Sequence, residues 1–229
     1  MKKLFDFFFS IFLIIIFLPL IILISIIVFI LDFNNPFYVA ERVGKNFKMF
    51  KMIKFRSMII NADKNKVFST KSDDDRITII GKYLRRFKLD ELPQLFNILF
   101  GHMSFVGPRP NVKFEVDMYH DYEKDLLKIK PGITDLASIV FYDEAEILKN
   151  SNDPNKDYGL LIRPWKSQLG IYYVNNNNLI LDIKIIFFTI LNFFNRQYVL
   201  KSISKIISKK TSDEKLSEIC LRKKRLNEI

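Results

Sequence analysis

The stretch KLDELPQLFNILFGHMSFVGPRP, residues 88–110, joins two adjacent carboxylates to an apolar segment and a Gly-Pro-Arg-Pro loop. The spacing of its apolar residues predicts a helix over residues 90–100. In such a helix Asp90 is expected to cap the N-terminus, and Glu91 to complement the positive end of the helix dipole. Pro93 falls in the first turn, where its missing N–H is tolerated. These structural roles are sufficient to explain the acid pair.

A chemical role for the same residues is open as well. A carboxylate at a helix N-terminus lies where backbone N–H groups also favour a phosphate. Asp90 could act there as a nucleophile on phosphorus, or as a ligand to Mg²⁺ that bridges a diphosphate. Either use needs cations, and Arg109, held between two prolines, offers the planar fork that binds phosphate. Lys54 and Arg56 are the next candidates, so the pattern indicates phosphoryl-type transfer.

The N-terminal segment is a membrane element. Residues 7–31 carry no charge, and their length exceeds the roughly 20 residues that cross a bilayer core. Pro19, near the middle, removes a backbone donor and favours a bend. Lys2 and the basic residues of 42–56 flank the segment, which favours two cytoplasmic ends and a segment that enters and leaves by one leaflet. Taken alone, the residues favour a kinked single span, because proline is tolerated in spans.

The charge of the chain lies outside the membrane segment. Residues 1–32 contain two Lys and two Asp and sum to zero, which leaves the formal net charge of +11 on the remaining residues. A surface of this sign favours anionic partners, such as lipid head groups, phosphates or nucleic acid. The single cysteine, Cys220, cannot form an internal disulfide, and His102 and His120 do not make a metal pattern with it. A reducing cytoplasm is therefore expected for the domain.

The rest of the chain predicts one mixed domain. A turn is expected at residues 33–40, followed by a strand over residues 49–56. A second turn is expected at Gly132, where glycine would supply a positive φ. Residues 61–76 are polar, with Asp73–Asp75 expected in a solvated turn. The tail, 201–229, is expected to be a surface helix or partly disordered. Helices are predicted over residues 77–87, 111–128, 141–149, a stretch ending near Tyr173, and 179–195, the last of them interfacial or buried.

Four motifs resemble those of the bacterial sugar transferases, the monotopic phosphoglycosyl transferases. They are KFRSM at 54–58, LDELPQLFNILFGHMSFVGPRP at 89–110, PGIT at 131–134 and YYVNNNNLILDIKI at 172–185. The similarity runs from the N-terminal segment to about residue 195, and the central motif of 22 residues is highly specific.

The resemblance implies an enzyme that moves a sugar-1-phosphate from a UDP-sugar to polyprenol (undecaprenyl) phosphate and releases UMP. It implies that Asp90 is the nucleophile, in two steps through a covalent phosphosugar-aspartate, with Glu91 as its partner. It also implies Mg²⁺ as cofactor, held by Asp90 and Glu91. By motif position, Arg109 and the neighbouring Pro108 bind the phosphates of the donor, and Lys54 and Arg56 line the same pocket.

The resemblance also sets the expected architecture, an α+β fold that is mostly helical with a small β element. Residues 1–32 form a re-entrant helix-break-helix bent at Pro19, which replaces the span favoured above. Residues 33–200 form the catalytic domain, on the cytoplasmic face of the bacterial inner membrane, and 201–229 a basic tail. Residues 179–195 then lie at the membrane interface.

Three departures from the family pattern distinguish this chain. Leu18 stands where members often have Ser before the proline, and His102 where an acidic residue is usual. After PGIT, the sequence DLASIVFYDEAEIL replaces a Gly and a Trp-Gln pair. This favours a subset with a different sugar pocket, although Asp143, Glu144 and Glu146 are also explained as a solvated helix start.

A non-enzymatic alternative is a membrane-anchored basic module that binds anionic lipid or nucleic acid. Such a module needs the basic faces but neither Asp90 nor Glu91. The sequence contains no nucleic-acid motif and no row of exposed aromatic residues, so no nucleic-acid partner is expected.

Overall fold

The structure, a computed structural model, describes residues 1–62, 70–71, 73–211 and 213–223. Part of the polar segment 61–76 and the end of the tail lie outside these ranges. Asp73 and Asp75 are exposed in the predicted turn, whereas Asp74 is paired with Arg76, with Oδ2 2.6 Å from Nη2. Asp74 therefore has a structural partner.

The described chain is mostly helical with two small β-sheets, which confirms the predicted class. Its helices are α1 (Lys2–Asp32), α2 (Ile79–Arg86), α3 (Gln94–Leu99), α4 (Lys113–Asp117), α5 (Leu136–Val140), α6 (Glu144–Ile147), α7 (Pro154–Asp157), α8 (Arg163–Asn176), α9 (Leu179–Leu191), α10 (Arg196–Ser208) and α11 (Glu214–Ile219). Its strands are β1 (Phe37–Val43), β2 (Met49–Phe55), β3 (Ser104–Val106) and β4 (Gly132–Thr134). Short 3₁₀ segments cover Lys45–Phe47, Leu89–Glu91 and Asp121–Lys128.

Helix α1 is continuous. Helical backbone runs through Pro19 over all of Lys2–Asp32, every residue of which the structure describes, so the predicted break is not present. Ser25 donates its hydroxyl to the carbonyl of Ile21, 2.8 Å away, which keeps this polar group satisfied within the helix. Within the described residues, α1 is the one helix long and apolar enough to cross a membrane.

Both ends of α1 pack against the domain. Near its start, Phe5 and Phe9 stack at 5.1 Å and contact Phe105 of β3. Near its end, Ile24 and Val28 are buried in a second apolar cluster. The outward face of the helix is exposed and apolar, so α1 lies along one side of the domain with that face uncovered.

Strands β1 and β2 form an antiparallel hairpin. The predicted strand over 49–56 is confirmed by β2, but the turn predicted at 33–40 is wrong after Pro36, where β1 begins at Phe37. Tyr38 pairs with Lys54 and Arg42 pairs with Phe50 in the register. Because side chains two residues apart share a face of a strand, Tyr38 and Arg42 lie on the same face of the hairpin as Lys54.

Strands β3 and β4 form a two-stranded parallel ladder. The positive φ predicted at Gly132 is wrong, because Gly132 is an extended residue of β4; among the described glycines only Gly101 has a positive φ. Gly132 is instead required by close packing, since a Cβ there would lie 2.1 Å from the backbone nitrogen of Gly107. This contact seats the Gly-Pro-Arg-Pro loop directly on β4.

The amphipathic helix predicted over 111–128 is wrong, because it is divided in two. Helix α4 ends at Asp117, and a 3₁₀ segment begins after His120, whose backbone N–H donates to Glu123 at 2.9 Å. Glu123 is buried and also accepts from Ser167, 2.6 Å away, and from Arg163. These contacts hold Glu123 against α8, and the backbone around Tyr119 is not helical.

The C-terminal tail belongs to the core as far as the structure describes it. The boundary expected at residue 200 lies within α10, and α10 and α11 pack against each other and the domain. This differs from the predicted surface helix, because one face of each helix is apolar. Their buried side chains are Val199, Leu200, Ile203, Ile207, Leu216, Ile219 and Cys220.

Candidate active site

The acid pair lies in a 3₁₀ turn before α3. Lys88 takes a left-handed backbone conformation, with φ 57°, and starts the turn Leu89–Glu91. The N-cap position of α3 is Pro93, so the prediction that Asp90 caps this helix is wrong. Asp90 and Glu91 are instead buried, at 6% and 7% exposure. Buried carboxylates without a capping role need another explanation, because they are rarely buried unless paired.

Glu91 is held by two cations from distant parts of the chain. Lys54 Nζ donates to Glu91 Oε1 at 3.1 Å, and Arg109 Nη1 donates to Oε2 at 3.2 Å, while Arg109 Nη2 binds Oε1. Burial opposes ionisation of Glu91, but the charges of Arg109 and Lys54 outweigh it and hold its pKa well below the ordinary value. Glu91 is therefore a fixed carboxylate that orients both cations.

Asp90 is left without such a partner. Among the described residues its Oδ1 is buried and accepts no hydrogen bond. Burial raises the pKa of Asp90, the charge of Lys54 opposes this rise, and the charge of Glu91 adds to it. A buried acceptor without a donor is uncommon in native proteins and often marks a reactive or ligand-binding group.

Arg109 connects the acid pair to the loop on β4. In addition to Glu91, it donates from Nη1 to the carbonyl of Ile133 at 3.3 Å. The charge of Glu91 raises the pKa of Arg109, so the guanidinium is permanently charged. Pro108 is buried beside it. The structure thus brings Lys54, Glu91 and Arg109 into contact, although they are remote in sequence.

Arg56, the other predicted cation, has a different position. Its backbone N–H donates to the carbonyl of Pro36 at 2.8 Å, and its Nη2 to that of Asn34 at 3.3 Å. It lines a cavity of 220 Å³ together with Val28 and Leu31 of α1. The structure places Arg56 at the end of α1, and Lys54 at the acid pair.

Two further cations near the acid pair were missed from the sequence. The charges of Arg85 and Lys88 both favour ionisation of Asp90. Arg85 lies in the segment 77–87 that was predicted to be a helix, and burial lowers its pKa. Their position in the five residues before Asp90 is the signal that could have identified them.

The start of α1 is bonded to the strand that carries the loop. Lys2 Nζ lies 3.0 Å from the carbonyl of Val106, 2.8 Å from the hydroxyl of Tyr173 and 2.6 Å from Asp182 Oδ2. Tyr173 also donates its hydroxyl to Asp182 Oδ1. Val106 is three residues before Arg109, so this Lys2 cluster (Lys2, Val106, Tyr173 and Asp182) joins α1 to the candidate site. The sequence motif at 172–185 contained Tyr173 and Asp182, but nothing in it indicated Lys2 as their partner.

The sequence model of the bacterial sugar transferase family matches residues 1–196. The chain belongs to this family. Its relatives include the exopolysaccharide production protein ExoY of Sinorhizobium fredii, 34% identical over 82% of this chain and 83% of that protein. The UDP-glucose:undecaprenyl-phosphate glucose-1-phosphate transferase of Klebsiella pneumoniae is 37% identical over 67% of this chain and 31% of that protein.

A third relative is the undecaprenyl-phosphate galactose phosphotransferase of Salmonella typhimurium, 37% identical over 69% of this chain and 33% of that protein. The sugar transferase described here thus aligns with about a third of the length of the Klebsiella and Salmonella proteins, and with most of ExoY. The family model covers the acid pair, the loop with Arg109 and helix α1.

Proposed function

We propose that this sugar transferase moves a sugar-1-phosphate from a UDP-sugar to undecaprenyl phosphate and releases UMP, as an early membrane step in the synthesis of a bacterial glycan. The observation that carries the proposal is the unpartnered buried carboxylate of Asp90, beside cations that Glu91 holds in place. The names of the Klebsiella and Salmonella relatives, which act on undecaprenyl phosphate, support the same reaction class.

In the first step, a carboxylate oxygen of Asp90 attacks the sugar-linked phosphorus of the donor. The bond from that phosphorus to the bridging oxygen breaks, and UMP leaves with the bonding electron pair. In the second step, an oxygen of the lipid phosphate attacks the same phosphorus and frees the carboxylate of Asp90. Arg109 and Lys54 neutralise the phosphate oxygens, and Glu91 keeps both cations oriented.

The residues around Asp90 fit a magnesium ion that is shared with the donor. Within the described ranges, no group of three or more His, Cys, Asp or Glu side chains is placed to hold a metal. Mg²⁺ usually binds one or two carboxylates together with substrate phosphates, and the unpartnered Oδ1 of Asp90 can supply one ligand. When bound, the ion supplies charge neutralisation on the diphosphate. Glu91 could join it only by releasing a hydrogen bond from Lys54 or Arg109.

We also propose that α1 keeps both of its ends on the cytoplasmic face of the inner membrane. Lys2 at its start bonds to Asp182, and Val28 near its end packs in the same domain. A span would separate these ends by the bilayer. Helix α9 adds a second apolar outer face to that of α1, and together they form the surface that enters the lipid. The exposed side chains of α9 are Ile180, Ile183, Phe187 and Ile190.

This topology predicts where a cysteine at the N-terminus reacts. Lys3→Cys adds a thiol at an exposed residue beside the Lys2 cluster, and the native Cys220 is buried. In spheroplasts, a membrane-impermeant maleimide is expected to label Lys3→Cys only after the membrane is permeabilised. Lys113→Cys, on the exposed surface of α4, is the matched control for the cytoplasmic side. Labelling of Lys3→Cys in intact spheroplasts, with Lys113→Cys protected, would show a span instead.

Arg109→Lys tests whether the planar guanidinium is needed. The substitution keeps the charge but cannot bind Glu91 and a phosphate through a fork. Loss of one charge-assisted pair is expected to lower kcat/KM by about ten-fold to a hundred-fold. The rate of UMP release with saturating lipid measures this, beside Arg86→Lys, which changes an exposed arginine of α2. An equal fall of kcat/KM in both variants would show that Arg109 has no specific role in the reaction.

The function itself is tested by UMP release from a panel of UDP-sugars. The purified protein in detergent is mixed with Mg²⁺, undecaprenyl phosphate and UDP-glucose, UDP-galactose or UDP-N-acetylgalactosamine. UMP that forms with one donor and depends on the lipid is the expected result. Folded protein that releases no UMP from any UDP-sugar would contradict the proposed reaction and favour the basic module.

A further inference from the structure

A second polar cluster lies near Arg109, whose charge acts on Lys166 in the cluster. Lys166 of α8 binds Glu144, the first residue of α6, and its Nζ lies 5.4 Å from the centre of the Tyr158 ring. Glu144 and Tyr158 are half-buried, so the prediction that Glu144 belongs to a solvated helix start is wrong. The side chains of Glu144, Tyr158 and Lys166 are thus each partly exposed to solvent and partly buried by protein.

Glu115 and Arg42 lie near this cluster, because the charges of Lys166 and Glu144 act on Glu115. Helix α4, which carries Glu115, packs against β1, which carries Arg42, and the two charges interact. Among the described residues, the carboxylate of Glu115 makes no hydrogen bond or ion pair, and burial raises its pKa. The hydroxyl of Tyr158 also has no hydrogen-bond partner in these ranges, and burial raises its pKa to about 12. Both groups therefore have hydrogen-bonding capacity that no described residue uses.

This polar pocket, defined by Arg42, Glu115, Glu144, Tyr158 and Lys166, lies near Arg109 of the candidate active site. The charge of Arg109 acts on both Arg42 and Lys166. Tyr38 pairs with Lys54 in the hairpin, and Arg42 lies four residues further along the same strand. This spacing separates Arg42 from Tyr38 by about 13 Å. Arg109 thus binds Glu91 of the acid pair and acts by its charge on two residues of the pocket.

The wall of the pocket is fixed by a separate network. Arg163 of α8 donates from Nη2 to Glu123 at 2.9 Å and lies 5.4 Å from the centre of the Tyr119 ring. The hydroxyl of Tyr119 accepts from Asn111 Nδ2 at 2.8 Å. These contacts join α8 to the segment after the loop with Arg109, so the polar groups are held at set positions.

We propose that the polar pocket binds the hydroxyl groups of the transferred sugar and decides which UDP-sugar is accepted. The assignment rests on the proposed function, which places the sugar-linked phosphorus at Asp90 and the phosphates at Arg109. A carboxylate, a phenol and two cations supply the acceptors and donors that sugar hydroxyls use. A site built to bond a hydroxyl discriminates strongly against an isomer that leaves its buried groups unpaired.

Glu115→Gln and Tyr158→Phe test the pocket by donor preference. For the preferred UDP-sugar, kcat/KM is expected to fall by about ten-fold or more, since a hydrogen bond to a charged or buried group is lost. The ratio of kcat/KM between UDP-glucose, UDP-galactose and UDP-N-acetylgalactosamine is expected to change. Inhibition by UMP, which lacks the sugar, is expected to stay the same. The control is Asp117→Asn, an exposed residue of the same helix α4.

Two results would overturn the assignment. Unchanged donor ratios in both variants would remove the pocket from sugar recognition. Inhibition by UMP that weakens as much as donor use would assign the pocket to the nucleoside instead. Thermal unfolding of each variant shows whether it is folded, and if Glu115→Gln does not fold, Tyr158→Phe decides.

Binding measurements separate this inference from the proposed function. Equilibrium binding of the same UDP-sugars and of UMP is measured with Mg²⁺ in an Asp90→Asn background, with and without Glu115→Gln. If the wild-type protein releases no UMP, the proposed reaction fails, but binding still tests the pocket. A loss of affinity for the UDP-sugar and not for UMP supports the pocket. Equal affinities in both proteins, or no UDP-sugar binding, overturn it.

Discussion

Asp90→Asn is expected to abolish sugar-phosphate transfer and to leave the fold intact. An amide is a far weaker nucleophile than a carboxylate, so the proposed role of Asp90 predicts that kcat falls by at least about a thousand-fold, as it does when the nucleophile of a characterised enzyme is removed. The free energy of unfolding is expected not to fall, because Asp90 Oδ1 has no partner to lose and a neutral amide is buried more easily than a charge. UMP release and thermal unfolding measure the two effects.

The proposed covalent intermediate gives this prediction a second readout. Wild-type protein incubated with Mg²⁺ and the donor, without lipid, is expected to carry the mass of one sugar phosphate on the peptide that contains Asp90. Asp90→Asn is expected to carry none, and Asp117→Asn to behave as wild type. Full turnover by Asp90→Asn, or the added mass on another peptide, would place the nucleophile elsewhere.

Gly132→Ala is expected to be strongly damaging, although it adds only a methyl group. Its Cβ would lie 2.1 Å from Gly107 N and 2.6 Å from Gly107 O, which are backbone atoms that cannot rotate away. The β3–β4 ladder has to separate, which is expected to lower the free energy of unfolding by about 1–3 kcal/mol or more. The loop with Arg109 moves with it, so UMP release is expected to fall as well.

Gly159→Ala is the matched control, because its added Cβ has no atom within 4 Å among the described residues outside its chain neighbours and its own helical backbone. Residue 159 is in helical backbone, where alanine is more stable than glycine by about 0.5–1 kcal/mol. Chemical denaturation of both variants is therefore expected to shift in opposite directions. Equal stability of Gly132→Ala and Gly159→Ala would mean that the loop does not rest on β4 as described.

The sequence was sufficient to predict which residues form the candidate site, but not which of them bond to each other. The motif identified Asp90, Glu91, Lys54 and Arg109, and the structure brings the last three into contact. The sequence could not show that Glu91 holds the cations while Asp90 stays unpartnered, because this depends on the 3₁₀ turn that follows Lys88. The capping preference of Asp favoured an N-cap at Asp90. The left-handed backbone at Lys88 instead starts a 3₁₀ turn there, so Asp90 does not cap α3.

The errors in secondary structure have long-range causes. The helix predicted over 111–128 is interrupted because Glu123 bonds to Arg163 and Ser167, which are about forty residues away in the sequence. The packing of the tail was partly visible, since Val199, Ile203 and Ile207 recur at helical spacing. The many lysines of the tail favoured a surface helix, and those that the structure describes are exposed.

The reactivity of Cys220 can report whether helices α10 and α11 are packed. It is the only cysteine in the chain, it is fully buried in the packing of α10 and α11, and its Sγ donates to the carbonyl of Leu216 at 3.2 Å. Burial raises the pKa of this thiol to about 12, so the folded protein presents neither access nor a thiolate to an alkylating reagent. The rate of alkylation at neutral pH therefore measures how often the last two helices open.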